Sequence, residues 1–318
     1  MSTTHWLTRG MVRTAALIAG LGALFAVFLL AARPWYRRWG ATDAEIGGRL
    51  SGDEIVPGAT TRETRAITID APAERVWPWL TQLGQDRGGF YSYQVLENLV
   101  GCEMPNVERL DPALQTWRLG DKLWMYPPRK LQGAGFATLA AWEPGRAMGF
   151  ATRQMGTSAA APADGSWSFA VVPVGPGQSR LIVRGRAGAE QSTAATAFSV
   201  LVFEPAHFAM ERKTMASIKT LAEGGRLDGR ADVFQVVLWT LTFLLFVAAG
   251  VRLLAGRGSL IGWAIFVGAG LLFQFLTLVQ PSPWLGLIAF LWLTASLAVS
   301  RVTRVKGRLR RLRDEVAT

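Results

Sequence analysis

The 318-residue chain is half apolar and only 18% charged, whereas soluble globular proteins carry about 25% charged residues. This composition indicates that lipid forms part of the solvent around the protein. The single cysteine, Cys102, excludes an intrachain disulfide. Together with the two histidines, His5 and His207, it cannot supply the ligands of the usual Cys/His zinc site, so no metal centre is predicted.

The net charge of +11 lies mainly beside the apolar segments. Residues 60–225 carry a net charge of +2, residues 1–59 also carry +2, and residues 226–318 carry +7. Basic residues that flank apolar segments orient membrane helices, whereas a nucleic-acid-binding domain concentrates its basic residues on its own surface. We therefore expect a membrane, and no nucleic acid, as a partner.

The first predicted transmembrane helix lies close to the N-terminus. Residues 14–32 form a stretch of 19 uncharged residues, and about 20 helical residues cross the hydrocarbon core of a bilayer. A cleaved signal peptide that ends near Ala31-Ala32 is the alternative, although the apolar segment of such a peptide is usually shorter.

Three more transmembrane helices are predicted in the last third of the chain. Residues 233–251 form a second uncharged stretch, and 43 uncharged residues follow Arg257. The latter stretch is long enough for two spans, and Pro281-Ser282-Pro283 divides it because proline interrupts helices. The third and fourth spans are therefore expected at about 260–279 and 284–300.

Basic residues near the span ends predict the orientation of the chain. Four spans put both termini on one side of the membrane, with eleven basic residues there against five on the other side. Cytoplasmic segments carry the excess of Lys and Arg, which favours an integral plasma-membrane protein with cytoplasmic termini and an external middle domain; the cluster Arg33–Arg38 favours the opposite. The predicted organisation is an N-terminal transmembrane segment (1–39), a linker (40–61), a middle domain (62–225), three transmembrane helices (226–300) and a basic tail (301–318).

The middle domain begins with a predicted strand and two helices. Residues 64–70 alternate in the manner of a strand. Asp70 is the expected N-cap of a helix that opens at Ala71-Pro72-Ala73-Glu74. A second, short helix is expected to contain Tyr93 and Leu99.

A series of strands and a long helix are predicted next. Turn residues separate five apolar segments, which predicts antiparallel strands, at 123–126, 134–142, 146–152, 166–172 and 180–187. Residues 159–163 are expected to form a loop. Pro205–Glu223 predicts a long helix stopped by Gly224-Gly225, with an apolar stripe of His207, Met210, Thr214, Ile218 and Leu221. This order predicts an α+β domain in which a curved antiparallel sheet wraps around the last helix and leaves a cavity.

Several segments of this domain resemble the SRPBCC superfamily, the helix-grip fold of START, Bet v 1 and polyketide-cyclase-like domains. The resemblance covers about residues 62–224 and is carried by residues 71–80 (APAERVWPWL), 84–93 (GQDRGGFYSY) and 203–208 (FEPAHF). It implies a helix-grip domain of a bacterial membrane-anchored branch with unassigned function. The superfamily includes carriers, sensors and enzymes, so the resemblance does not by itself imply an activity.

His207 is the strongest catalytic candidate, because histidine titrates near neutrality and can act as a general base. Glu204 and Glu211 flank it on the predicted helix, so one of them could orient the imidazole. The alternatives are that His207 is a core or interface histidine and that Glu204 only caps the helix ahead of Pro205. Tyr91 and Tyr93 could offer hydroxyl groups to a ligand. Two residues that are two apart on a helix point to different sides, so at most one is expected to reach the cavity, and packing is the alternative.

The remaining expectations concern the ligand. The predicted cavity lining consists of Trp77, Tyr91, Tyr93, Trp124, Trp167, Phe203, His207, Met210 and Thr214. Gly88-Gly89 lacks the Lys-Ser/Thr of a phosphate-binding loop, and no cofactor is expected. The leading hypothesis is a membrane-anchored binding protein for a lipid or other apolar small molecule. The alternatives are a cyclase, aromatase or hydrolase-like enzyme that uses the same cavity, and a structural or regulatory membrane protein whose tail, Arg301–Arg313, binds anionic headgroups.

Overall fold

The computed structural model describes residues 3–153, 161–189, 192–255 and 260–296. Two compact units are present: one comprises residues 33–232, and the other combines the residues up to Ala32 with those from Val233 onward. The predicted basic tail, residues 297–300 of the fourth predicted span and residues 159–160 of the predicted loop lie outside the described residues.

The predicted strands and helices occur in the predicted order, and the structure adds short helices at Arg33–Arg37, Asp43–Gly47 and Thr193–Phe198. The helices are α1 (Thr3–Val27), α2 (Arg33–Arg37), α3 (Asp43–Gly47), α4 (Ala73–Thr81), α5 (Gln94–Leu99), α6 (Thr193–Phe198), α7 (Glu204–Ala222), α8 (Gly229–Leu254), α9 (Leu260–Gln274) and α10 (Pro283–Ser296). The strands are β1 (Thr61–Ile69), β2 (Lys122–Trp124), β3 (Phe136–Glu143), β4 (Ala147–Thr152), β5 (Gly165–Gly175) and β6 (Gln178–Ala187). Single π-helical turns continue three helices, at Phe28–Ala32, Ser199–Phe203 and Phe275–Val279.

The six strands form one open antiparallel sheet in the order β1-β6-β5-β4-β3-β2. Strands β2 to β6 follow one another as a meander, and β1 pairs with β6 at the opposite edge from β2. The mixed α and β class and the antiparallel run of strands predicted from the sequence are confirmed. The turn residues between the strands explain this result, because short Gly- and Pro-containing connections join antiparallel neighbours.

One face of the sheet packs against α4 and α7. Alternate residues along β5 and β6, such as Phe169, Val171, Leu181 and Val183, belong to the same core as Ile218 of α7. In a strand, alternate side chains point to the same face, so this period of two brings one face to the helices. The main core of the domain therefore lies between the sheet and α7.

The other face of the sheet is covered by residues 40–58, which we call the strap. Arg184 of β6 is fully buried and donates to the Asp53 carboxylate at 2.8 Å, to the Glu45 carbonyl at 2.6 Å and to the Gly48 carbonyl at 3.0 Å. Gly52 has a positive φ of 97° and lies so close to Ser168 that a Cβ would collide with its side chain. The segment predicted as a linker therefore packs on the sheet as part of the domain.

The ends of α4 and α7 differ in how well they were predicted. The Asp70 prediction is wrong: α4 begins at Ala73 with Pro72 in the N-cap position, and the Asp70 carboxylate instead accepts a hydrogen bond from Gln178 at 2.8 Å. In contrast, α7 ends at Ala222, and Gly224 adopts a positive φ of 87°. A glycine in this position closes a helix without a Cβ clash, as expected from Gly224-Gly225.

Three helices are long and apolar enough to cross a membrane, at Thr14–Arg37, Gly229–Leu254 and Ile261–Val279. They coincide with the first three predicted spans and support an integral membrane protein. The described part of the fourth predicted span is a shorter apolar helix, Pro283–Ser296. Within this unit, Leu24 packs with Leu253 and Phe266.

Candidate functional site

The first half of α7 runs beside the first strand, and this alignment builds the candidate site. Glu63 of β1 lies near His207, and Arg65 reaches Glu211 one helical turn further along. On β1, residues two apart share a face of the strand; on α7, residues four apart share a face of the helix. The two elements thus bring four titratable side chains together.

The centre of this site is a buried ion pair between Arg65 and Glu211. The Arg65 Nη1 atom lies 2.7 Å from Glu211 Oε1, and both side chains are only 1% exposed. Arg65 also donates to Glu63 Oε2 at 2.6 Å and to the Tyr36 carbonyl at 2.9 Å. Charge-assisted hydrogen bonds of this length are strong, and three of them hold the guanidinium in one orientation.

Glu211 is held ionised by its surroundings. Burial opposes the charged form, but the adjacent Arg65 guanidinium and its hydrogen bond hold the pKa of Glu211 below its ordinary value. The indole Nε1 of Trp167 donates to the other oxygen, Oε2, at 2.7 Å. Both carboxylate oxygens are therefore occupied by the protein itself, which makes Glu211 a structural anchor instead of a general base.

His207 lies at the rim of the site, between a carboxylate and two aromatic rings. Its Nδ1 atom is 3.8 Å from Glu63 Oε1, which is too far for a good hydrogen bond. Its ring stacks on Phe203 at a centroid distance of 5.5 Å and meets Trp167 edge-on at 5.5 Å. Glu204 and Glu211 make their hydrogen bonds to other residues, and Glu63 places a carboxylate oxygen 3.8 Å from the His207 Nδ1 atom.

A continuous row of rings leads from the surface into the core through His207. Phe203 is exposed and stacks on His207, which meets Trp167. The Trp167 ring then packs on two buried rings, Phe169 at a centroid distance of 4.6 Å and Phe90 at a centroid distance of 5.9 Å. We call Phe203, His207, Trp167, Phe169 and Phe90 the aromatic row.

Glu204 anchors the start of α7. Its carboxylate receives two hydrogen bonds from Arg33, both at 2.8 Å, and one from the Tyr36 hydroxyl at 3.0 Å. These bonds hold the pKa of Glu204 below its ordinary value although burial opposes ionisation. The described hydrogen bonds of Glu204 therefore go to Arg33 and Tyr36, and none of them reaches His207.

The two candidate tyrosines precede α5 instead of lying on it, so the helical spacing assumed for them is wrong. Tyr91 has a positive φ of 55°, and Tyr93 occupies the N-cap position of α5. The Tyr91 hydroxyl is 2.6 Å from Gln82 Nε2, and burial raises the pKa of Tyr91 to about 12. Tyr93 is buried beneath Lys213, whose ammonium lies 5.7 Å from the ring centroid.

The other predicted lining residues divide between several places. Trp77 packs on Trp142 at a ring-centroid distance of 5.4 Å, and Trp124 packs on Phe136 at a ring-centroid distance of 5.1 Å. Met210 contacts Ser92, whose hydroxyl donates to the Met210 carbonyl at 2.8 Å, and the buried Thr214 donates to the same carbonyl. Of the predicted lining, only Phe203, His207 and Trp167 belong to the aromatic row.

Sequence reasoning missed Glu63 and Arg65, and also Phe90 and Phe169 of the aromatic row. Arg65 shares a strand face with Ile67 and Ile69, and an arginine on an apolar face needs a partner when it is buried. That signal could have singled out Arg65. Nothing in the sequence could have named Glu211 as its partner.

A second buried carboxyl group lies on α5. Burial raises the pKa of Glu97 to about 7, and its Oε2 atom has no hydrogen-bond partner among the described residues. Cys102 follows it in the chain and is also buried, which raises the pKa of its thiol. The part of the chain that the structure describes contains no group of three or more His, Cys, Asp or Glu side chains arranged to hold a metal ion.

Comparisons with known proteins give structural neighbours alone. No family model matches the chain, and no curated protein does. A protein of Mesorhizobium loti is 15% identical, with a TM-score of 0.29 over 52% of this chain and 100% of its own. A protein of Nitrosospira multiformis is 17% identical, with a TM-score of 0.28 over 50% of this chain and 94% of its own. A Thermobifida fusca protein is 16% identical, with a TM-score of 0.30 over 52% of this chain and 97% of its own.

Proposed function

We propose that this chain is a membrane-anchored binding protein whose middle domain, of the SRPBCC helix-grip type, holds a lipid or another apolar small molecule against the aromatic row. The observation that carries the proposal is the row itself, which runs without interruption from exposed Phe203 to buried Phe169. The proposal includes a fourth membrane span that contains Pro283–Ser296.

The energetics favour an apolar ligand at the outer end of the row. Phe203 is 56% exposed, and a phenylalanine buries roughly 150–250 Å² when it is fully covered. Covering its exposed part would contribute about 2–3.5 kcal/mol at about 25 cal/mol per Å². The ion pair beneath the row, Arg65–Glu211, is hydrogen-bonded within the protein. A ligand therefore needs no charged group to bind next to it.

Photocrosslinking of the full chain tests this proposal. The detergent-purified protein is irradiated with a diazirine-labelled fatty acid, and the modified peptides are mapped. We expect labelling of β5 and the start of α7, and we expect Phe203→Ala to reduce it about tenfold or more, since about 1.4 kcal/mol corresponds to a factor of ten.

Phe198→Ala is the matched control. It removes a phenylalanine of similar exposure from the same segment, and labelling of β5 and α7 should stay close to the wild-type level. Labelling confined to the membrane helices, or an equal loss in both variants, would contradict the proposal.

A second candidate function is an enzyme of the cyclase, aromatase or hydrolase type. The observation that favours it is the partly exposed His207 with its Nδ1 atom near Glu63, because a histidine next to a carboxylate can act as an acid or base. Hydrolysis of p-nitrophenyl butyrate by the full chain tests the hydrolase form. Turnover that is equal in the wild type and in His207→Gln would exclude this role for His207.

A further inference from the structure

The segment that precedes α7 is apolar and largely exposed, with Ala195, Ser199 and Val200 half-buried along it. Residues 191–203 contain no charged side chain. In the structure α6 and the following π turn form a helical segment, Thr193–Phe203, which continues directly into α7. Phe198, Leu201, Val202 and Phe203 are each between 50% and 61% exposed, so no face of the segment is fully covered by the domain.

This exposure is unusual for a domain surface in contact with water. A surface helix normally buries one apolar stripe and presents charged residues on the opposite face. A contiguous exposed apolar patch marks a contact with a membrane, a protein or a ligand. At about 1.5 Å per residue the segment is about 16 Å long, roughly half the about 30 Å needed to cross a bilayer.

A contact at the end of the segment ties it to a membrane boundary. Glu204 follows Phe203 directly and receives two hydrogen bonds from Arg33. Arg33 is the first charged residue after the apolar stretch of the first membrane span, and a charged residue at the end of a span lies at the interface between lipid and water. Phe203 is therefore one residue from a position fixed at that interface.

We propose that Thr193–Phe203 lies in the plane of the membrane, at the interface where the first span ends, with Phe198, Leu201 and Val202 in contact with acyl chains. The partner is the lipid bilayer itself. A second copy of the chain would cover the same surface, but the hydrogen bonds between Arg33 and Glu204 favour lipid, since they fix the segment where lipid is already present.

The position of Phe203 gives this contact a consequence that rests on the proposed function. Phe203 belongs both to the segment and to the aromatic row. A ligand could therefore pass between the bilayer and the row without crossing water. The membrane contact itself does not depend on any ligand.

Spin-label accessibility in the full chain tests the membrane contact. Leu201→Cys and Val202→Cys are introduced separately into a Cys102→Ala background and labelled with a nitroxide, and the chain is placed in phosphatidylcholine nanodiscs. The control is Val174→Cys, a similarly exposed valine seven residues along β5 from Trp167, or about 24 Å at 3.4 Å per residue. No ligand is added.

We expect the ratio of collisions with oxygen to collisions with a water-soluble nickel chelate to be several-fold higher at positions 201 and 202 than at 174. An equal ratio would mean that the segment faces water and would overturn the proposal. Low accessibility to both reagents would mean that protein covers the segment, which would also overturn it. Because the measurement uses no ligand, its failure is separate from a failure of the photocrosslinking experiment.

Discussion

Replacing Arg65 with methionine removes the one cation at the centre of the candidate site. The guanidinium donates to Glu211, Glu63 and the Tyr36 carbonyl. Methionine fills a similar volume and keeps contact with apolar neighbours. The variant therefore leaves the Glu211 carboxylate buried, with the Trp167 indole as its remaining hydrogen-bond donor.

The expected loss of stability follows from this geometry. Removing one partner of a buried ion pair costs about 3–5 kcal/mol, because the other charge stays buried without compensation. In a domain of this size each kcal/mol lowers the melting temperature by about 2–4 °C, so Arg65→Met should lower it by about 6–20 °C. Adding Glu211→Leu should recover part of the loss, because the fully buried carboxylate is then gone and Glu63, the other carboxylate that Arg65 holds, is partly exposed.

Thermal unfolding of the full chain in detergent, followed by tryptophan fluorescence, measures this effect. The control is Arg129→Met, which breaks an exposed ion pair with Glu103 and should cost less than about 1 kcal/mol. A double variant less stable than Arg65→Met, or an equal loss for Arg65→Met and Arg129→Met, would refute the reasoning.

The pair between Arg65 and Glu211 also predicts that the stability of the folded chain decreases at acidic pH. The pKa of Glu211 is lowered in the folded chain, so the folded state binds its proton less readily than the unfolded state does. Ionised Glu211 contributes its full share of the stability above the ordinary carboxyl pKa. This share is lost as the pH falls through the lower pKa that Glu211 has in the folded chain. Wild-type stability should therefore fall below about pH 4 more steeply than that of the double variant.

Three further predictions concern other parts of the domain. Burial raises the pKa of Glu97 to about 7, so its ionisation destabilises the fold as the pH rises from about 4.5 to 7. At pH 8, Glu97→Gln should therefore increase the free energy of unfolding by roughly 3 kcal/mol and raise the melting temperature. At pH 4.5 it should change neither. Gly89→Ala should unfold the chain at far lower temperature than Gly120→Ala, since both glycines have a φ near 90° but only Gly89 lies against another backbone segment. Arg184→Met should release the strap, measured as faster proteolysis within residues 40–58.

The strands and helices were predictable because their signals are local. The alternation in 64–70 and the turn residues between later apolar segments depend on neighbours a few positions away. The strap was not predictable in this way. Asp53 lies 131 positions from Arg184, and its own surroundings in the sequence resemble those of an ordinary linker.

The candidate site was predicted in part. The sequence predicts His207, Trp167 and Phe203 as lining residues, and the structure brings their rings together. The same aromatic criterion predicts Trp77 and Trp124, but they pack on Trp142 and Phe136. An aromatic side chain looks the same in a sequence whether it fills a core or lines a site, so residue type alone could not separate these roles.

The sequence by itself determined three of the apolar spans, the order of the predicted strands and helices and the glycine that ends α7, because each depends on composition or spacing within one element. Only the tertiary structure decided that Arg65 pairs with Glu211, which lies 146 positions away, and that Glu204 bonds to Arg33 instead of His207. The physical reason is that a charge selects its partner by distance in space after folding, and any of the 23 acidic residues is an equal candidate before it.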